Sequence, residues 1–104
     1  MTNAKIVLVR HLALALPDVQ ERTSYGTPAF FIGRTLFARL LKDCDSVVVK
    51  IEERDRERRM AADPKSFYIT DHYLHYPMMI VRLSAVDETT LRELLSDAWR
   101  LAAS

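Results

Sequence analysis

Residues 29–41, AFFIGRTLFARLL, give the clearest local prediction in this sequence. They contain two apolar runs, Ala29 to Ile32 and Thr35 to Leu41, which are separated only by Gly33 and Arg34. A two-residue connection that begins with glycine is typical of a type II′ β-hairpin, because glycine readily adopts the positive φ that the turn requires. The stretch therefore predicts a β-hairpin in the first half of the chain.

Further strands are predicted on both sides of this hairpin. Ser46 to Ile51 contains three consecutive valines, which favours a well-buried strand. Phe67 to Thr70 and Met78 to Leu83 are expected to form two more strands, joined by residues 71–77. Upstream of the hairpin, Val19 to Tyr25 is either a connection or a short edge strand.

Two more turns are predicted from the residues that favour them. Gly26-Thr27-Pro28 is expected to form a turn, because glycine permits a positive φ and proline pushes the preceding residue into extended geometry. Lys42-Asp43-Cys44-Asp45 is expected to form the next turn, which leads into the valine-rich strand.

Three segments predict helices. The first runs from about Ala4 to Leu16, with Thr2 or Asn3 as its N-cap. The second is the charged segment from Glu52 to Ala62, and the third runs from the N-cap Asp87 to about Ala102 with apolar residues at helical spacing. The whole order predicts an α+β fold, an antiparallel sheet of about five strands with the N- and C-terminal helices packed on one face. Residues 1–104 are expected to form a single domain.

Composition and charge limit the classes of function. The chain has 15 basic and 14 acidic residues, a net charge of +1 and a pI near 7.9, whereas a dedicated nucleic-acid-binding protein is usually far more basic. A nucleic-acid role would therefore require positive charge concentrated on one face. A single cysteine, Cys44, and the lack of a signal-peptide or membrane-spanning pattern predict a cytoplasmic protein that does not bind a membrane.

Short motifs follow one another along nearly the whole chain, in an order and spacing that chance hardly reproduces. They are Leu16-Pro17-Asp18-Val19 with Glu21, Gly26-Thr27-Pro28-Ala29-Phe30, Gly33 with Leu36-Phe37-Ala38, Val47-Val48-Val49-Lys50, Ala62-Asp63-Pro64 with Phe67-Tyr68 and Thr70, His72-Tyr73, Pro77 with Val81-Arg82-Leu83, and Trp99-Arg100. In these motifs the chain resembles the MmcQ/YjbR-like family.

The resemblance implies the same compact α+β fold that the pattern of elements predicts. It also implies a double-wing arrangement and DNA binding, the role suggested for the family, and it supplies no catalytic residue. The chain departs from the family's pattern at three positions. Arg34 stands where lysine is usual, Cys44 where glycine is frequent, and Asp71 where proline is common, so the last two change the expected local turn geometry.

Alternation of side chains along the strands predicts which residues lie on the sheet face away from the helices. If Val47, Val49 and the alternate residues of the neighbouring strands point toward the helices, the opposite face carries three basic and two aromatic residues. These are Arg39, Lys50, Arg82, Phe37 and Tyr68. Basic groups bind phosphates and aromatic rings stack on bases, so this composition predicts a nucleic-acid-binding face. A change of register by one residue would exchange the two faces.

The same face has other interpretations. It is also suited to a small anionic ligand or, through its apolar part, to a partner protein. Alternatively, its cations pair with carboxylates and its apolar residues are covered by loops or by a second subunit. The preferred prediction is a non-enzymatic binding domain with DNA as the leading ligand, and the alternative is a protein-interaction module or homodimer that buries the same surface.

The charged segment Glu52 to Arg59 contains four arginines and four carboxylates. Glu52 with Arg56 and Asp55 with Arg59 have the spacing of ion pairs on a helix. This balance predicts a solvated helix face, not a nucleic-acid site.

The segment His72-Tyr73-Leu74-His75-Tyr76 has the residues of an enzyme site but lacks a clear third metal ligand. An ordered loop whose aromatic rings pack over the sheet edge is the preferred prediction. An enzyme that uses His72, His75 and Tyr73 is a weaker alternative, which would require a concave pocket at the loop. No enzyme activity, metal site or cofactor is expected.

Overall fold

The computed structural model describes residues 4–104, which form three α-helices and six β-strands. In chain order the elements are α1 (Ala4–Leu14), β1 (Val19–Ser24), β2 (Thr27–Ile32), β3 (Thr35–Leu40), β4 (Ser46–Lys50), α2 (Glu53–Ala62), β5 (Phe67–Tyr68), β6 (Met78–Arg82) and α3 (Glu88–Ala103). The N-cap predicted at Thr2 or Asn3 lies outside the described residues. None of the helices in residues 4–104 has the length and apolar character needed to span a membrane.

The strands form one antiparallel sheet in the order β1-β2-β3-β4-β6-β5. The predicted α+β class is confirmed, with six strands where about five were expected, because Val19–Ser24 forms an edge strand and not a connection. The predicted glycine-first hairpin also forms, since β2 ends at Ile32, Gly33 has a φ of 57° and β3 begins at Thr35.

The turn before β2 lies earlier than the sequence predicts. Tyr25 and Gly26 both have positive φ, 54° and 81°, and Ser24 pairs directly with Thr27. Positive φ at both central residues is the geometry of a type I′ turn, which matches the twist of the flanking strands. Thr27 and Pro28 are consequently part of β2, and not of the turn predicted for Gly26 to Pro28.

A β-bulge in β3 changes the face on which one predicted site residue lies. Phe30 pairs with Ala38 and Phe31 pairs with Leu36, so Phe37 is an extra residue in β3 without a partner in β2. The side chain of Phe37 is fully buried in the core beside the helices. The prediction that Phe37 faces outward was therefore wrong, because strict alternation does not hold across a bulge.

α1 and α3 cover one face of the sheet. α3 packs against β2, β3 and β4, and α1 packs against α3 and β1. Asp87 caps α3 as predicted, since its carboxylate accepts a hydrogen bond of 2.8 Å from the backbone N–H of Thr90. The indole N–H of Trp99 donates to the carbonyl of Pro17 at 2.9 Å and fixes α3 to the connection between α1 and β1. With both helices on one side, the other face of the sheet is left for the loops.

Candidate nucleic-acid interface

We use "outer face" for the side of the sheet that points away from α1 and α3. The strand register aligns one residue from each strand in a row across this face. From β1 to β5 the row is Arg22, Ala29, Arg39, Val48, Ile80 and Tyr68. Residues directly opposite each other in neighbouring strands point to the same side of a sheet. Arg82, two residues beyond Ile80 along β6, lies on the same side.

Each of the three arginines on the outer face stacks on an aromatic ring. The guanidinium carbon of Arg22 lies 4.9 Å from the centre of the Phe31 ring. Two such pairs follow across the sheet, Arg39 on Tyr25 at 5.3 Å and Arg82 on Tyr68 at 5.1 Å. A guanidinium within about 6 Å of a ring centre is attracted by the negative face of the ring. These contacts orient the three cations without neutralising them.

Arg39 occupies the middle of the outer face and is half-buried. Its guanidinium donates hydrogen bonds to the hydroxyl of Tyr73 at 2.9 Å and to the hydroxyl of Thr27 at 3.4 Å. Both acceptors are neutral, and within residues 4–104 no carboxylate forms an ion pair with Arg39. Its positive charge is therefore held in place and left uncompensated.

Arg82 lies nearer to a carboxylate. Its Nε donates to the backbone carbonyl of Lys65 at 2.9 Å, and its charge is close enough to influence Asp43. Burial raises the pKa of Asp43, but hydrogen bonds from the Ser46 hydroxyl and from the backbone amides of Asp45 and Ser46, together with Arg82, bring the pKa below its ordinary value. Asp43 therefore stays ionised and offsets part of the Arg82 charge.

Charge is unevenly divided between the sheet and the helices. The six strands contain four cationic residues, Arg22, Arg39, Lys50 and Arg82, and a single carboxylate, Glu21. Glu21 pairs with Arg10 of α1 at 2.9 Å, so it lies on the helix side of the sheet. A chain with a net charge of only +1 thus concentrates positive charge on its outer face.

The loop of residues 71–77 covers the centre of the outer face, and Arg56 of α2 holds it there. The buried guanidinium of Arg56 donates to four backbone carbonyls at 2.7–3.3 Å. The four carbonyls belong to Tyr73, Leu74, Tyr76 and Met78. Arginine is suited to this contact because its planar fork carries several donors in fixed directions. The sequence predicts a loop whose aromatic rings pack over the sheet edge, whereas Tyr73 and Tyr76 pack over the central strands β3 and β4.

A pocket of about 180 Å³ remains between this loop and the sheet, and we call it the outer-face pocket. Leu36, Val48 and Met78 contribute from the strands, and Arg39 and Tyr25 lie beside them. His72, Tyr73 and Tyr76 contribute from the loop. Tyr25 and Tyr76 are largely exposed, at 83% and 57%, so the aromatic rim of the pocket is open to solvent.

The structure brings together three of the five residues predicted for the site. Arg39, Arg82 and Tyr68 lie on the outer face, whereas Phe37 is in the core. Lys50 has the strand parity of the outer face, since it pairs with Met78, but it is the last residue of β4. It also lines a cleft of about 370 Å³ between α2 and α3, together with three carboxylates. The carboxylates are those of Glu52, Asp55 and Asp97.

Three residues of the outer face were missed by the sequence predictions: Arg22, Phe31 and Tyr25. Arg22 and Phe31 follow from the hairpin register, because Arg22 pairs with Ala29, and Ala29 pairs with Arg39. That register requires β1 to be a strand, which the sequence left open. The position of Tyr25 over Arg39 depends on the type I′ turn. Gly26 suits this turn, but the turn also requires a positive φ at Tyr25, and a tyrosine seldom adopts one.

The histidines of the loop do not converge on one site. His72 lines the outer-face pocket, whereas His75 lines a separate depression beside Glu53 and Arg56. His72 also packs edge-on against the ring of Tyr73, with centres 4.8 Å apart. Within residues 4–104, no group of three or more His, Cys, Asp or Glu side chains is arranged to hold a metal ion.

The ion pairs predicted on α2 do not form as expected. Asp55 pairs with Arg58 at 2.7 Å and not with Arg59. Arg56 turns to the loop carbonyls, and the guanidinium of Arg59 lies 5.6 Å from the centre of the Phe67 ring. The charged segment is thus only partly a solvated face, because two of its arginines make tertiary contacts.

Comparison with known proteins shows the family of this chain. The YjbR family model matches residues 14–101. The uncharacterised proteins Rv2570 of Mycobacterium tuberculosis and Mb2600 of Mycobacterium bovis are each 32% identical to this chain over 60 residues, which is 57% of this chain and 46% of the relative. The chain thus matches less than half of the length of these relatives.

A solved structure has the same fold. The crystal structure of Deinococcus radiodurans protein DR2400, which carries the family-model domain DUF419, matches with a TM-score of 0.84 at 20% sequence identity. The match covers 100% of this chain and 83% of that chain. At this level of identity the likeness shows a common fold.

Proposed function

The chain belongs to the YjbR family, and we propose that it is a non-enzymatic domain that binds DNA through its outer face. The observation that carries the proposal is the set of three arginine–aromatic stacks, which present Arg22, Arg39 and Arg82 on one side of the sheet. Arginine contacts phosphates, and exposed aromatic rings stack on bases. The outer face supplies both kinds of group.

The spacing of the arginines suits a polyanion better than a single small anion. Arg22 is on β1, Arg39 on β3 and Arg82 on β6, so two strand spacings separate each from the next. At about 4.8 Å per strand the charges are about 10 Å apart, across the whole sheet. One phosphate cannot contact all three, whereas successive phosphates of a nucleic-acid strand can. α1 and α3 lie on the opposite side of the sheet.

Fluorescence anisotropy with labelled single- and double-stranded DNA tests the proposal at two salt concentrations. The variant carries Arg22→Gln, Arg39→Gln and Arg82→Gln, which remove the outer-face charge and retain polar side chains. The matched control carries Arg54→Gln, Arg58→Gln and Arg92→Gln, three exposed arginines of α2 and α3, so both variants lose the same net charge. Circular dichroism establishes that both are folded.

We expect the wild type and the control to bind DNA with salt-sensitive affinity, and the outer-face variant to lose most of this binding. Phosphate contacts weaken steeply with salt because bound counterions are released from DNA on association. Absence of binding at low salt, or equal loss in the two variants, would refute an outer-face DNA site.

A second function is favoured by one observation, the exposure of large apolar groups beside the arginines. Tyr25, Tyr76 and Leu74 are 83%, 57% and 51% exposed, and they lie at the loop side of the outer face. Such a cluster suits a partner protein or a second copy of the chain. Sedimentation measurements at low and high salt distinguish this role, because an apolar dimer interface persists at high salt whereas DNA binding does not.

A further inference from the structure

We infer that the outer-face pocket binds one unstacked nucleobase, and that the domain consequently prefers single-stranded to double-stranded DNA. The inference rests on the proposed DNA-binding function and adds which form of DNA is bound and how. It is drawn from the size of the pocket, the chemistry of its walls and the uncompensated charge of Arg39.

The pocket has the volume of a single ring system. Its volume is about 180 Å³, and a cavity of about 150 Å³ in another protein is known to hold one benzene molecule. Larger organic ligands generally occupy pockets of about 300–1,000 Å³. A single nucleobase therefore fits the volume of the pocket.

The walls of the pocket suit a flat, partly polar ring. The strands provide an apolar floor at Leu36, Val48 and Met78, while Tyr73 and Tyr76 come from the loop. Base–aromatic stacking tolerates any base, because every base has a π-face. The pocket thus predicts binding that depends on the presence of a base but little on its identity.

Arg39 is placed to hold the phosphate of the same nucleotide. Two of its contacts go to the neutral hydroxyls of Tyr73 and Thr27, and no carboxylate of residues 4–104 pairs with it. A guanidinium carries five N–H donors, so donors remain for an anion. Because Arg39 lines the pocket, a base inside it brings its own phosphate close to this charge.

The loop limits the pocket to a base that has left its stack. The 71–77 loop stands over the sheet and is fixed there by the hydrogen bonds of Arg56, so an intact duplex cannot present a base to the floor. Extruding a base from a duplex costs unpairing and unstacking energy, which a single strand does not incur in full.

The test compares three labelled probes by anisotropy: a decadeoxythymidylate, a decamer of the same length with an abasic site at every position, and a duplex decamer. In the abasic decamer every position lacks its base, so the strand retains the phosphates but has no bases to insert. We expect the base-bearing strand to bind about 5- to 150-fold more tightly than the abasic strand, the range that one stacked base contributes.

Two variants locate the effect and one controls for the loop. Tyr76→Ser removes an exposed ring of the pocket, and Tyr25→Asn removes another while retaining a residue that tolerates positive φ. Leu74→Ser changes an exposed residue of the same loop that does not line the outer-face pocket. The two pocket variants should bind the base-bearing strand nearly as weakly as the abasic one, and Leu74→Ser should bind like the wild type.

The outcomes separate this inference from the proposed function. Equal, salt-sensitive binding of abasic and base-bearing strands would overturn the nucleobase pocket and leave the outer face as a phosphate-binding surface. A base preference that survives in both pocket variants would also overturn it. Failure of every probe to bind at low salt would overturn the proposed function and this inference together.

Discussion

Cys44, in the turn between β3 and β4, adopts a backbone conformation that favours glycine. Its φ is 62°, in the left-handed region. A side chain with a Cβ atom costs about 1–2 kcal/mol in this region, whereas glycine adopts it freely. A glycine would fit the geometry of this turn better than a cysteine.

We expect Cys44→Gly to raise the free energy of unfolding by about 0.5–1 kcal/mol. Relief of backbone strain exceeds the extra conformational entropy that glycine gives the unfolded chain. The measurement is urea denaturation of both proteins. Cys44→Ser retains the Cβ atom and should leave stability nearly unchanged, so a gain of equal size in the serine variant would contradict this explanation.

Asp43, in the same turn, makes a pH-dependent contribution to stability. Its carboxylate accepts hydrogen bonds from the Ser46 hydroxyl at 2.7 Å and from the backbone N–H of Asp45 at 2.9 Å. Burial raises the pKa of Asp43, but the hydrogen bonds together lower it by more than burial raises it. The pKa in the folded state therefore lies below the unfolded value of about 4. The stabilisation is therefore complete above about pH 4 and is lost as the pH falls through the folded pKa.

We expect Asp43→Asn to be less stable than the wild type by a constant amount between about pH 5 and pH 7, and the difference to shrink below about pH 4. Urea denaturation across this range measures it. Ser46→Ala, which removes one donor to the carboxylate, should raise the pKa of Asp43 in an NMR titration. A stability difference that grows toward acid would contradict the assignment.

At the scale of elements, Arg56 joins α2 to the loop between β5 and β6. It is 8% exposed and is bound to backbone carbonyls only, so it holds the loop regardless of the loop's side chains. Since the loop forms the wall of the outer-face pocket, the shape of the pocket depends on a residue outside it.

Arg56→Lys should lower the free energy of unfolding by about 1–3 kcal/mol, because an ammonium group cannot reach all four carbonyls and some remain unsatisfied. Hydrogen exchange should become faster in residues 71–77, while the exchange of β4 stays slow. Arg54→Lys, an exposed change on the same helix, is the control. Unchanged protection of the loop in Arg56→Lys would show that other contacts hold it.

Local patterns predicted most elements and missed the features that depend on tertiary contacts. The glycine-first hairpin, the valine-rich strand and the cap at Asp87 follow from residues close in sequence, and they were confirmed. The bulge at Phe37 was not foreseen, because nothing nearby in sequence distinguishes an extra strand residue from a regular one. The role of Arg56 was also missed, since its acceptors are 17–22 residues away.

The residues of the candidate site were likewise predicted only in part. Arg39, Arg82 and Tyr68 were placed on the correct face by alternation alone, because their strands contain no irregularity between these residues and the paired valines. Arg22 required the register of an edge strand whose exposed, polar sequence gives little strand signal. The sequence thus indicated that the outer face is basic and aromatic, and the strand pairing shows which residues lie on it.

For the whole molecule, the fold separates charge that is balanced in the sequence. α2 and α3 with their N-caps carry eight of the fourteen carboxylates and six arginines, a net charge of −2, while the outer face presents three arginines. The eight are Glu52, Glu53, Asp55, Glu57, Asp87, Glu88, Glu93 and Asp97. A net charge of +1 is therefore compatible with local positive charge on the outer face, which attracts a polyanion to that face.

This separation predicts how DNA affinity depends on salt. Neighbouring arginines of the outer face are about 10 Å apart, too far for two of them to contact one phosphate, so each should contact a separate phosphate. For a single strand the slope of log K against log salt is about −0.7 for each phosphate contacted, which gives about −2 for the wild type. Arg22→Gln and Arg39→Gln should each reduce the slope by about 0.7, and Arg82→Gln should reduce it by less. Asp43, beside Arg82, makes the change at Arg82 the smallest of the three.

Anisotropy titrations of the decadeoxythymidylate at four salt concentrations measure these slopes, with Arg92→Gln on α3 as the control. Arg92 is exposed and paired with Glu88 at 2.8 Å, so its removal should leave the slope at the wild-type value. If one arginine accounted for the entire slope, the anion would bind at a single point and the outer face would not track a strand. If Arg92→Gln reduced the slope as much as the outer-face changes, net charge and not its distribution would govern binding.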